Sequence, residues 1–375
     1  MQVEIQDVGY GGVGVARSAE GVIFVPGAFT GEVVEIEILS QKKRFARARL
    51  LKVIQPSPHR VPSTVSPVPG MVYAELDYNE EVALKQRQLQ ALLARIGRLE
   101  VATLLPPVAA PYPLNYRNKL TLHWDGRRLG YIGEDNRTVV DTPKCPLSHP
   151  SINALLAQLR ADRLAFKKLR PGSRVTLRYT PQDGVVVGLG RAPQETLTET
   201  LAGLTLSVAA DAFFQVNLPC AELLLNAFRE AIQGANRVFD LYCGTGLFGF
   251  VAAQAGVKEI FGLETTPSAV QSAKLNAKRL GIKADYRCAP SECLPEIPAA
   301  DAWIVDPPRD GLSDEVRKNI LEALPERLIY ISCGPDTLAR DLAQLTQAYR
   351  IDSMQLFDFF PRTAHFETLT VLSRR

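Results

Sequence analysis

Three stretches of this chain carry residues whose types and order suit covalent chemistry. A glycine turn, Asp240-Leu241-Tyr242-Cys243-Gly244-Thr245-Gly246, is followed by Asp306-Pro307-Pro308-Arg309 and then by Tyr330-Ile331-Ser332-Cys333. Glycines let a backbone come close to a ligand because no Cβ stands in the way. Cys333 ends the apolar run Leu328–Ser332 and precedes Gly334-Pro335, which sets its thiol at the open edge of a sheet. A thiolate there is a soft, reversible nucleophile. Beside a ligand pocket it suits addition to an electron-poor ring such as uracil, with a separate base to remove a proton afterwards. His365-Phe366-Glu367-Thr368 offers two candidate bases, Glu367 at the start of the final strand and its rival His365. The bland alternative for Cys333 is a small buried hydrophobe.

Gly244-Thr245-Gly246-Leu247-Phe248-Gly249 fits G-x-G-x-x-G, and Glu264 ends the next strand, where it can accept hydrogen bonds from both hydroxyls of a ribose. Taken alone, that pattern is equally consistent with a nicotinamide dinucleotide or with a turn that merely packs strand on helix. Two features favour S-adenosylmethionine. Asp240 precedes the turn in a pattern similar to the first motif of methyltransferases that use this donor, and Asp306-Pro307-Pro308 ends the fourth strand, where such enzymes meet the methionine part or the target base.

The surrounding elements are consistent with that placement. Strand candidates Arg237–Leu241, Glu259–Leu263, Ala284–Cys288, Ala302–Val305, Leu328–Ser332, Tyr349–Phe357 and Glu367–Leu372 alternate with amphipathic helices. This predicts a Rossmann-like, mainly parallel α/β domain over 201–375, whose ligands lie at the carboxyl ends of the strands. Residues 1–55 predict a small OB-like β-barrel, punctuated by glycines and alternating through Val33–Ile38. The barrel strand from Lys42 to Leu50 includes Lys42, Lys43, Arg44, Arg47 and Arg49, with Arg47 and Arg49 on one face. Such a face either holds RNA phosphates or is a charged edge that resists aggregation. A proline-rich linker, 56–79, follows. Residues 80–200 predict a helix from about Glu80 to Ile96, stopped by Gly97, and a mixed α/β middle domain with an antiparallel sheet. Arg117 and Lys119 are basic points on it.

The chain has 375 residues, 46% of them hydrophobic, enough for several cores. No apolar run approaches the ~18–20 residues of a membrane span, and the start lacks a signal-peptide pattern, so a cytoplasmic protein without membrane contact is expected. The net charge of +3 says little until its distribution is read. Six scattered cysteines without a C-x-x-C pair exclude a disulfide framework and a zinc site.

The ordered set Phe213-Phe214-Gln215-Val216-Asn217, the glycine turn, Asp306-Pro307-Pro308-Arg309, Ser332-Cys333-Gly334-Pro335 and His365-Phe366-Glu367-Thr368 resembles the RNA uracil-5-methyltransferase family over nearly the whole chain. The first barrel resembles the RNA-binding TRAM domain of that family's ribosomal-RNA branch. The resemblance implies Cys333 as nucleophile, Glu367 as base, and Gln215, Tyr242, Gly244, Gly246, Glu264 and Asp306 around S-adenosylmethionine. It implies structured RNA, 23S ribosomal RNA in particular, as partner of a monomer. Gln215 has an alternative as a structural amide capping the following helix, and Arg309 either touches substrate phosphate or braces its loop. Many relatives hold an iron–sulfur cluster on four cysteines. Here Pro62–Met71 contains none and only Cys145 matches a ligand, so no cluster is expected, because one thiolate cannot replace about four. Cys145 is then a packed remnant.

Rival readings fit less well. Cytosine-5 enzymes carry a cysteine where Arg309 stands, and amino-group methyltransferases an aromatic; neither requires Cys333. A catalytically idle RNA-binding protein of the same fold would not need the full set of reactive residues. A transfer-RNA substrate remains the closest alternative.

Overall fold

The structure, a computed structural model, describes every residue except 102, 134, 163–165, 192–194 and 295–298. Strands Gln2–Glu4, Asp7–Gly9, Val13–Ser18, Gly21–Pro26, Val33–Gln41 and Phe45–Gln55 form one six-stranded sheet wrapped round an apolar core. Alternation does the sorting: Val34 and Ile36 point inward, as do Ala46 and Ala48, which leaves Arg47 and Arg49 outside on one face. Lys42, Lys43 and Arg44 do not belong to that strand, contrary to expectation. Gln41 pairs with Ala46, so these three residues form the exposed connection between two antiparallel strands.

The helix after the linker spans Tyr78–Leu92, two residues earlier than expected, because Asp77 caps it by accepting from the N–H groups of Asn79 and Glu80. It runs on into a π-type turn, Leu93–Gly97, and the left-handed residue that ends it is Arg98, φ 54°, not Gly97. Gly97 serves another purpose: a Cβ there would sit 2.9 Å from the carbonyl oxygen of Ala339 on helix Pro335–Leu345. Leu89 and Leu93 accordingly pack into the core of the C-terminal sheet.

The middle sheet is antiparallel, in the order Gly184–Leu189, Arg174–Thr180, Lys119–Trp124, Leu129–Ile132 and Val139–Asp141. Helix Pro150–Ala161 covers it and contributes Ile152 and Leu156 to its core. That core also takes in Met71 and Cys145, with Val65 and Val68 packed against it. The cysteine-free linker is therefore held by apolar packing. Cys145 is fully buried, its sulfur 3.3 Å from the Tyr131 hydroxyl.

One element was not foreseen. Thr196–Leu201 and Leu204–Ala209 pair as a hairpin that buries Leu201, Leu204, Leu206 and Val208 in the C-terminal core. The sheet of that domain has seven strands, in the order Ala284–Cys288, Glu259–Glu264, Arg237–Leu241, Ala302–Val305, Arg327–Ser332, Glu367–Arg374 and Tyr349–Phe357. The first five run parallel; Glu367–Arg374 pairs antiparallel with both neighbours. Strand order reverses beside Arg237–Leu241, and a crevice at such a switch point is where open α/β sheets hold ligands. Among the described residues, no helix is long and apolar enough to cross a membrane.

Candidate active site

A cavity of about 630 Å³ opens at that crevice. Gln215, Tyr242, Gly244, Glu264, Asp306, Arg309, Cys333 and Glu367 all line it, as do Phe213 and Phe359, which sequence reasoning did not assign. Gly246 does not. It starts helix Leu247–Gln254 with φ 87°, and a Cβ there would lie 2.8 Å from both the Phe250 ring and the Tyr286 hydroxyl, so its smallness serves packing. Tyr242 keeps a side chain at φ 66°, a costly conformation typical of turns that hold a functional group in place.

Sheet register brings Cys333 and Glu367 together. Ser332 pairs antiparallel with Thr368, so the residue after the one and the residue before the other face each other at the sheet end. Thr368 Oγ1 donates to the Ser332 carbonyl at 3.3 Å and fixes that end. Gly334 then passes close to the loop that follows Asp306-Pro307-Pro308; a Cβ on it would meet the Arg309 carbonyl oxygen at 2.8 Å. Thr337 Oγ1 donates to the same carbonyl at 2.9 Å. The Arg309 backbone is thus braced while its side chain remains in the cavity wall.

Three acidic groups share this space. Burial first, then the nearby Glu367 and Asp306 charges, push the Cys333 thiol up to about 12, with Arg309 opposing them. Burial and Asp306 hold the Glu367 carboxyl well above the usual range, again against Arg309. Burial and Glu264 push Asp306 up to about 7. Glu367 Oε2 is buried without a hydrogen-bond partner. A carboxylate raised in this way is a stronger base than usual. His365 does not line the cavity; burial first, then Arg309, Lys85 and Arg117, lowers its ring to about 4, and Nδ1 is buried without a partner.

The donor end of the cavity suits S-adenosylmethionine. Glu264 accepts from the Gly244 N–H at 3.1 Å and from the Thr266 N–H at 2.8 Å, which fixes a carboxylate at the strand end. Gly244 has φ 52°, and a Cβ built on it meets nothing within 4 Å, so the backbone there is bare toward the cavity. Glu264 and Asp306 thus bring two acidic groups to one cavity, a donor set that fits ribose hydroxyls and a cationic sulfonium. The capping alternative for Gln215 falls away. Asn217 caps helix Leu218–Ala231 by accepting from the Cys220 N–H, and it also donates to the Phe359 carbonyl.

The basic residues divide. Lys42, Lys43, Arg44 and Arg47 are exposed on the barrel. Arg49 is exposed but ion-paired with Glu37, its cross-strand neighbour. Arg117 is not free on the surface; it packs over the Tyr116 ring, 5.7 Å from its centroid, with Nε buried and unpartnered. Lys119 is half-buried, and burial together with Arg178 lowers its ammonium. Neither middle-domain residue was recognisable as internal from its neighbours in sequence.

The profile of the tRNA (Uracil-5-)-methyltransferase family matches residues 298–375, that of the TRAM domain residues 1–51, and that of the ribosomal protein L11 methyltransferase family residues 213–305. An uncharacterised RNA methyltransferase of Thermosynechococcus vestitus is 33% identical, with 100% of this chain and 98% of that protein covered. One from Nostoc sp. is 31% identical over 99% of this chain and 96% of that protein. Among solved structures, the Pyrococcus abyssi tRNA (uracil-54, C5)-methyltransferase in complex with S-adenosyl-L-homocysteine superposes with a TM-score of 0.79. At 24% identity over 99% of this chain and 100% of that one, it shares the fold. Barrel, donor crevice and C-terminal strands are thus matched in turn, and near full-length relatives are RNA methyltransferases: the chain belongs to the S-adenosylmethionine-dependent RNA uracil-5-methyltransferase family.

Proposed function

We propose that the protein methylates C5 of a uridine in 23S ribosomal RNA, acting in the cytoplasm as a monomer, with Cys333 as nucleophile and Glu367 as base. The observation that carries this reading is the register that sets Cys333 opposite Glu367 in a cavity shared with Asp306 and Glu264. Cys333 Sγ loses its proton to solvent and, as thiolate, bonds to C6 of the uracil, and the electrons of the C5–C6 double bond move toward C5 and the O4 carbonyl. S-adenosylmethionine, when bound, supplies an electrophilic methyl group for C5. Glu367 then takes the C5 proton, the C5–C6 double bond re-forms, and the C6–S bond breaks to free the thiolate. The target base must leave its stack to reach Cys333, at a cost of a few kcal/mol.

A transfer-RNA substrate is the second reading. A transfer-RNA enzyme matches this fold along its whole length, barrel region included, so the barrel alone does not select ribosomal RNA. Both readings are tested together by incubating the protein and labelled donor with RNA from a strain lacking the gene. Label in 5-methyluridine of large-subunit RNA is the expected result; label confined to transfer RNA would move the substrate, and label in neither would end the proposal. With RNA containing 5-fluorouridine, a protein–RNA adduct should accumulate, because fluorine cannot leave as a proton. Cys333→Ala should abolish the adduct. Glu367→Ala on ordinary RNA should trap it after methyl transfer.

A further inference from the structure

A cleft of the barrel approaches the catalytic cavity through the contact of Tyr10 with Phe366, the neighbour of Glu367. It has a volume of about 930 Å³ and is lined in part by linker residues Val68 to Val72, a size within the range of about 300–1,000 Å³ that small-molecule sites occupy. The barrel turn between Asp7–Gly9 and Val13–Ser18 is pressed on that linker; a Cβ on Gly12 would come within 2.4 Å of Val72. Tyr10, on the same turn, lines the cleft. Its ring also meets Phe366 edge to face, centroids 6.0 Å apart, and Phe366 directly precedes Glu367 in the catalytic cavity. Burial first, then Asp336, pushes the Tyr10 phenol up to about 12, and Arg309, Cys333 and Glu367 are close enough to act on it as well.

The lining suits a flat, negatively charged ligand. Phe24 and Phe45 stand on adjacent strands with centroids 5.8 Å apart at 65°, both half-buried. Lys42 Nζ lies 5.5 Å from the Phe45 centroid. Arg47 is the one charged residue among the described lining, and no acid faces it there. Aromatic faces that stack bases, next to a cation for the backbone, are how single-stranded nucleic acid is held without a base-pairing code.

We propose that this cleft receives a nucleotide flanking the target uridine, its base stacked against Phe45 and its phosphate on Arg47, with Tyr10 as the partition between that nucleotide and the reacting base. The proposal rests on the uracil reading above and adds a subsite to it. The barrel then does more than attract the RNA: it reads whether a base is present next to the target.

The test uses the full-length protein, the methyl donor and synthetic single-stranded RNAs spanning the methylated uridine once mapped. Each RNA has 5-fluorouridine at the target, and each in turn lacks one flanking base. The readout is the RNA concentration giving half-maximal adduct. At one flanking position the missing base should weaken wild type about tenfold. Phe45→Ala should weaken binding of the intact RNA to a similar degree and be indifferent to that missing base. Because Phe45 is half-buried, Arg47→Gln provides a second variant, expected to weaken binding and to reduce the salt slope by about one. If every missing base weakens wild type and Phe45→Ala equally, or if both variants bind RNA as wild type does, the cleft is not a nucleotide subsite. An acidic peptide as the true occupant would give the latter result. Should wild type methylate no uridine at C5, the uracil reading itself falls, and the subsite with it.

Discussion

Lys85 Nζ lies 2.7 Å from Asp358 Oδ1, a contact between a helix near the linker and a loop 273 residues further along the chain. Both side chains are fully buried. Lys85 also donates to Glu81 Oε1 at 2.8 Å and to the Phe360 carbonyl at 3.3 Å, and the Arg362 N–H donates to Glu81 Oε1 at 2.6 Å. The loop thus anchored on helix Tyr78–Leu92 leads within a few residues to Glu367. Removing one member of a buried pair leaves a charge without compensation and costs about 3–5 kcal/mol.

Lys85→Met should therefore lower stability by about 3 kcal/mol in urea unfolding. It should also slow removal of the C5 proton, because the loop that seats Glu367 loses its two bonds to Lys85, at Asp358 and at the Phe360 carbonyl. Covalent adduct on ordinary RNA should then rise above the wild-type level. Stability lost with the adduct fraction unchanged would mean that the network holds the fold without setting the base.

The thiol of Cys333 is held protonated by burial and by two neighbouring carboxylates. In the free protein it should react with iodoacetamide more slowly at pH 8 than the exposed Cys288 and Cys293, as followed peptide by peptide by mass spectrometry. Asp306→Asn removes one of the charges that raise it. Alkylation at Cys333 should then quicken, by about tenfold for each unit that the thiol pKa falls. No change on that substitution would mean that Asp306 does not act on the thiol.

The share of stability held by the raised carboxyls should fall as pH rises from about 4 to 7, opposite to ordinary acid denaturation and to the share of His365, whose ring is lowered. Asp306 moves from 3.8 to about 7 on folding and Glu81 from 4.5 to about 7, in both cases chiefly through burial. Each group binds its proton more tightly folded than unfolded. Its stabilisation is complete below the unfolded value and is lost as pH climbs through the folded one. Glu367 and Asp240 act in the same direction. The slope is at most about 1.4 kcal/mol per pH unit for each group. Urea unfolding of wild type and Asp306→Asn at pH 5, 6 and 7 isolates one share: the stability of wild type relative to the variant should fall as pH rises.

Chemistry was more legible in the sequence than packing. Cys333, Asp306 and the glycine turn were readable because each follows a short apolar run, and such strands end at the ligand edge of a parallel sheet. The antiparallel turn of the last strand, which sets Glu367 opposite Cys333, left no mark in its residues. Lys85 did leave one: Glu81, Lys85, Leu89 and Leu92 fall on a single helical stripe that is otherwise apolar, and a cation there needs buried partners. Thr196–Leu201 also alternates like a strand and is followed by Gly203 as a turn. Arg117 read as a surface charge, since sequence spacing says nothing of a tertiary neighbour such as Tyr116. The contact of Tyr10 with Phe366 was invisible for the same reason.

Two glycines of one motif should fail in different ways. Gly244 and Gly246 both have positive φ, 52° and 87°, so either alanine variant strains the backbone by about 1 kcal/mol. Beyond that they diverge. A Cβ at 244 meets nothing in the protein and enters the cavity wall beside Glu264, so Gly244→Ala should fold nearly as well as wild type yet bind S-adenosylhomocysteine far more weakly by calorimetry. A Cβ at 246 meets Phe250 and Tyr286 inside the core, where overpacking adds about 1–3 kcal/mol, so Gly246→Ala should lose its cost in unfolding instead. Equal loss of cofactor affinity by two well-folded variants would refute the division, because it would place both residues against the ligand.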